Sequence, residues 1–116
     1  MERLVAAALA ALPSQFRARL TNLHFSVVHG PTRLERRRLG LGSGTLYGLY
    51  EGLPLTQRDS AYDRAMPDRI TIYWGPLLRD FPAEEALAAE VRKTVYHEIA
   101  HYFGLDEEDL ERTSVE

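Results

Sequence analysis

Five consecutive residues, His97-Glu98-Ile99-Ala100-His101, hold two imidazoles and a carboxylate at a spacing that suits metal chemistry. Residues four apart on an α-helix lie one turn apart on nearly the same face, so both imidazoles can point a ring nitrogen at one ion. Zinc accepts nitrogen ligands at about 2.0–2.1 Å in a tetrahedral arrangement. Glu98 follows His97 by about 100° around the helix, too far round to be the natural third ligand but close enough to reach a water on the metal. A carboxylate there acts as a general base while the metal lowers the pKa of its water toward about 7. The ordinary alternative is a helix with two solvated histidines and no metal. That arrangement would stack positive charge below pH ~6.5 with no evident structural gain.

Two histidines alone bind zinc weakly, so a third ligand is needed. Gly104 turns the chain so that residues beyond it can fold back toward His101. Glu107 in that segment is the first candidate and Asp106 the second; a water or a partner's side chain is the remaining option. Asp106 competes for another role, capping a terminal helix with Asp109 three residues on in the manner of a capping box. His24 and His29 are expected to be exposed, His24 on the strand face opposite Leu23 and Phe25 and His29 beside a turn.

The helix that carries the motif is predicted over 82–103. Pro82 suits a helix start, Glu84 and Glu85 suit the positive end of its dipole, and Gly104 suits its left-handed end. Leu87, Val91, Val95 and Ile99 form one apolar stripe, which puts the core on one side and the histidines toward a cleft. Arg69 to Trp74 reads as a strand, mostly β-branched and aromatic, ended by Gly75-Pro76. Leu23–Val28 and Thr45–Glu51 read as two further strands. Thr32–Leu39 reads as a short helix closed by Gly40, Gly42 and Gly44. Val5, Ala8, Leu9 and Leu12 recur at helical spacing until Pro13, and Ser14 starts a short turn with Phe16 and Leu20. Gly52–Pro67 lacks a period and reads as a surface loop of functional length, and Asp106–Arg112 as a short terminal helix.

Bulk properties narrow the function. A chain of 116 residues, 45% apolar and 27% charged, suits one soluble domain over residues 1–116. It has no cysteine, which excludes disulfides, thiolate zinc sites and a cysteine nucleophile and fits a reducing cytoplasm. The net charge of −3 gives no basic field for nucleic acid or an anionic membrane. Arg33, Arg36, Arg37 and Arg38 form one basic run, read as a solvated helix face. Met1–Leu12 is far shorter than the roughly 20 residues that cross a bilayer, and Glu2 cancels Arg3. It reads as an alanine-rich helix on the core rather than a secretory segment.

His97-Glu98-x-x-His101 followed by Gly104 and an acid at position 107 resembles the H-E-x-x-H-x-x-G-x-x-H/D pattern of metzincin-like proteases. It is closest to the small bacterial minimal zincin family. Leu46–Arg58 (LYGLYEGLPLTQR), Pro67–Pro76 (PDRITIYWGP) and Val95–Leu110 (VYHEIAHYFGLDEEDL), with Ala11-Leu12-Pro13 and Phe16, extend the resemblance over nearly the whole chain. The resemblance implies a zincin-like α/β (α+β) domain, a small mixed sheet packed on the active-site helix with one edge strand beside the metal. Arg69–Trp74 is the expected strand nearest the cleft. It also implies His97 and His101 as ligands of one zinc ion and Glu98 as general base. Position 107 departs from the pattern, being Glu where the family has His or Asp. So does the missing methionine turn, because Met1 and Met66 both precede the motif.

The expectation is a cytoplasmic zinc-dependent metallopeptidase that acts on a peptide or protein, with no nucleic-acid or membrane partner. Tyr73, Tyr102 or a residue of the 52–67 loop is expected to supply an oxyanion donor. Manganese or iron also suits such ligands. A non-catalytic metal-binding module, acting through a protein partner that completes the site, is the competing expectation; a metal-free structural domain is the third.

Overall fold

The order of elements follows from where the chain can bury apolar surface. A computed structural model describes residues 1–20, 23–52 and 68–105, and the secondary structure below is that of these residues. They form α1 (Glu2–Ala10), α2 (Ser14–Arg17), β1 (Leu23–Val28), α3 (Arg33–Arg38), β2 (Gly48–Glu51), β3 (Asp68–Tyr73), α4 (Trp74–Asp80) and α5 (Glu84–Phe103). The expected loop after Gly52 and the expected helix after Leu105 fall on residues 53–67 and 106–116, outside the described residues.

β3 is the central strand of a three-stranded mixed sheet of order β1-β3-β2. It pairs in parallel with β1, Phe25 opposite Ile70 and Val27 opposite Ile72, and antiparallel with β2, Gly48 opposite Ile72 and Tyr50 opposite Ile70. A strand covered on both faces reads as a nearly continuous apolar run. That is why RITIYW stood out in the sequence: only Arg69 of β3 is exposed.

Ile70 and Ile72 lie on one face of the sheet with no exposed surface, in one core with Val91, Val95 and Ile99 of α5. The predicted stripe is therefore observed, with Leu87 joining it at the helix start. α1 packs against α5 through Val5 and Ala8, and Leu12 and Phe16 continue that contact to the far end of α5, where the Phe16 and Phe103 rings meet at 5.2 Å. None of the described helices is long and apolar enough to cross a membrane.

Two local features differ from expectation. Gly75-Pro76 follows the strand as expected, but Trp74, expected as its last residue, opens α4, and the pair sits in that helix's first turn. A proline there forfeits no helical hydrogen bond, because first-turn N–H groups have no acceptor within the helix. The strand nearest the cleft is β2 rather than Arg69–Trp74, since β3 is flanked on both sides and β2 lies at the edge. α3 forms as read, with Thr32 and Glu35 closing a reciprocal capping box at 3.0 and 2.9 Å.

Tyr73, at the end of β3, is fully buried and donates from its hydroxyl to Glu35 at 3.4 Å. Burial, with the Glu35 charge beside it, pushes this phenol from its ordinary 10.0 up to about 12. Its neutral form is favoured in the fold, so its contribution to stability is complete below pH 10 and is lost as pH rises through about 12. In chemical unfolding between these two pH values, Tyr73→Phe is expected to lose stability less steeply with pH than the wild type. Parallel slopes would refute this.

Candidate metal centre

The site is built by one helix and one strand edge. α5 is amphipathic around the motif: Ile99 and Ala100 are buried, and His101 is half exposed at 50% of its side chain. His97 is accessible to solvent, and its ring lies 4.4 Å from that of His101. One ligand atom each from His97, Glu98 and His101 fall within 4.8 Å of one another. The helix geometry read from the sequence thus brings the two imidazoles together on the solvent side.

Glu98 lies between core and solvent, only 6% exposed. Its burial raises the carboxyl pKa above the ordinary value, against the opposing pull of His101, His97 and the Tyr50 main-chain N–H. Nδ1 of His101 stands 3.3 Å from Glu98 Oε1. A hydrogen bond at Nδ1 leaves the Nε2 lone pair of the neutral ring to serve as a ligand. The donor set is chemically suited to zinc: two imidazoles with a carboxylate alongside and no competing thiolate.

The position of Glu98 depends on a residue that the motif does not contain. Gly48 of β2 faces α5, and a Cβ there would stand 2.8 Å from Thr94 Cγ2 and 3.2 Å from Glu98 Cγ. Glycine lets the strand edge approach the helix closely enough to bury the carboxylate. A glycine within a strand is the sequence signal for such an approach, but the sequence does not say which surface approaches.

Beside the motif runs a groove of about 360 Å³. One wall is residues 45–48, leading into β2; the other is Glu90, Lys93, Thr94 and His97 along α5. α4 holds the first wall in place. Tyr47 donates to Asp80 at 2.6 Å, and Arg79 donates to Asp80 at 2.9 Å and to Thr45 at 3.2 Å. These partners keep the Asp80 carboxyl below its ordinary pKa.

This combination of helix, strand edge and groove agrees with the comparison to known families. A family model described as zincin-like metallopeptidase matches residues 20–115. The chain belongs to the zincin-like metallopeptidase family. No curated protein matches it significantly. Membership accounts for the mixed sheet packed on the motif helix and for a His-Glu-His cluster compatible with a metal ion.

Glu107 and Asp106 fall outside the described residues. The Tyr73 hydroxyl is directed to Glu35 and that of buried Tyr102 to the Arg19 carbonyl at 3.5 Å. His24 and His29 are exposed, as expected; the His29 ring rests edge-on to Trp74 at 4.6 Å.

A carboxyl raised by burial weakens the metal-free zincin-like fold once it ionises. The folded state keeps its proton longer than the unfolded chain, so this group favours folding at low pH and costs stability as pH rises through its folded pKa. In chelator-treated protein, Glu98→Gln is expected to melt on the order of a few degrees above wild type at pH 8. The gap is expected to narrow toward pH 4. Equal melting temperatures at pH 8 would refute it.

Proposed function

We propose that this zincin-like protein is a zinc-dependent peptidase, with His97 and His101 as metal ligands and Glu98 as general base. One observation carries the reading: a nearly buried carboxylate of raised pKa adjoins two accessible imidazoles, and it lines a groove together with one of them, His97. A zinc ion held there would lower the pKa of a water and polarise a carbonyl. Glu98 would accept a proton from a water held there and pass it to the leaving amine, a role suited to a carboxyl whose pKa burial raises. The groove orients an extended peptide, whose main chain adds to the open edge of β2.

Glu107 is proposed as the third ligand, with Asp106 as the alternative. Gly104 adopts a left-handed conformation, φ 73°, and the Leu105 N–H bonds back to the Ala100 carbonyl at 2.8 Å. This closing turn ends α5 just past His101, the point from which a ligand beyond it would have to return. The absence of cysteine supports a reducing cytoplasm as the place of action.

Untagged protein is expected to carry stoichiometric zinc by elemental analysis and to cleave members of a mixed-peptide library. Glu98→Gln is expected to keep the metal and lose roughly 10²–10⁴-fold in cleavage rate, the usual share of a general base. Equal cleavage by both proteins would reject the assignment; zinc without cleavage in either would favour the non-catalytic binding module. Glu107→Ala is expected to weaken zinc binding far more than Asp106→Ala in a chelator competition, and the reverse order would exchange their roles.

A further inference from the structure

Tyr50 connects three parts of the site. It stands opposite Ile70 in an antiparallel pair where the Tyr47 carbonyl accepts from the Tyr73 N–H at 2.8 Å. Main-chain bonding alternates along such a pair, so residues 47, 49 and 51 bond toward β3 while Gly48 and Tyr50 turn their N–H and C=O outward. The outward N–H of Tyr50 donates to the Glu98 carboxylate. The Tyr50 hydroxyl donates to Asp68 Oδ2 at 2.6 Å, and its ring lies 6.0 Å from that of Tyr102, edge to face. Asp68 has no exposed surface, and any side chain at Gly52 would collide with its carboxylate.

Burying a carboxylate is unfavourable unless it is well bonded, and nothing in the proposed peptide chemistry uses Asp68 directly. We propose that Tyr50 is a positioning residue for Glu98: its outward N–H fixes the carboxylate, and its hydroxyl, anchored on buried Asp68, fixes the strand that carries that N–H. A glutamate side chain has three rotatable bonds, and a fixed donor narrows the directions its oxygens take. The division of the strand follows. At Tyr50 the edge serves the base; from Gly48 back to Thr45, along the groove wall, it is open to a peptide main chain. This rests on the reading of Glu98 as general base.

Amide hydrogen exchange on the metal-free protein tests the contact without any activity. Glu98→Ala is expected to speed exchange of the Tyr50 amide by about tenfold or more, as a lost hydrogen bond of about 1.4 kcal/mol would. Glu98→Gln, whose amide oxygen still accepts, is expected to leave it protected. Tyr50→Phe is expected to speed exchange at position 50 while the Ile70 and Ile72 amides keep their wild-type rates; acceleration of all three would mean general loosening and overturn the proposal. In cleavage assays Tyr50→Phe is expected to lower kcat by about tenfold with KM and zinc content unchanged, and to add no further loss to Glu98→Gln, as coupled residues do. An unchanged Tyr50 amide in Glu98→Ala, or wild-type kcat in Tyr50→Phe, overturns it. If the exchange pattern holds while even the wild type cleaves nothing, the contact stands and the hydrolase reading fails.

Discussion

The site depends on how closely β2 approaches α5 at Gly48. Any larger residue there would press on Thr94 and on Glu98 itself. That approach gives Glu98 its environment: a low-dielectric surround that opposes ionisation, and two hydrogen-bond donors, His101 and the Tyr50 N–H, that favour it. Were the strand further away, water would fill the gap and the carboxyl would behave as an ordinary surface glutamate. The metal-ligating pattern belongs to the helix, but the character of the acid beside it belongs to the contact between helix and sheet.

Much of this could be read in the sequence, for identifiable reasons. The stripe of Leu87, Val91, Val95 and Ile99 has helical period and sits on a segment with a recognisable start and stop, so both the helix and its buried face were legible. The two imidazoles came with it, since their relation is local. What the sequence could not show was tertiary. Arg69–Trp74 has the composition of a buried strand, and composition does not distinguish the centre of a sheet from the edge beside a cleft. The Gly75-Pro76 pair has the chemistry of a turn, and its tolerance in the first turn of α4 depends on where that helix begins. Gly48 and Tyr50 lie in a stretch that carries the family resemblance but names no chemistry for them; their placement follows from the register with β3, which sets which main-chain groups face α5.

The structure also separates local stability from chemistry along a single helix. On one side of α5 the buried residues are aliphatic or aromatic and continue the core contributed by α1, β1 and β3. On the other, His97 and His101 face solvent. Glu98 lies at the seam between them, so a change in packing alters an ionisable group directly. A carboxyl raised by burial in this way reduces the stability of the metal-free fold once it ionises.

A chain of 116 residues has few elements from which to make a groove, and the one seen here uses a short strand lead-in held from behind. Residues 45–47 have no ladder partner on the groove side, yet Tyr47 and Thr45 are tied to Asp80 and Arg79 at the end of α4, and the Tyr47 ring leans on Phe81 at 5.9 Å. These bonds are exposed, and exposed ion pairs contribute little to global stability. Their consequence is directional: they hold this wall in place beside the groove. A peptide laid there would meet a pre-formed edge and give up less conformational entropy than if it had to order the wall itself. α4 thus acts as the support behind this wall of the groove.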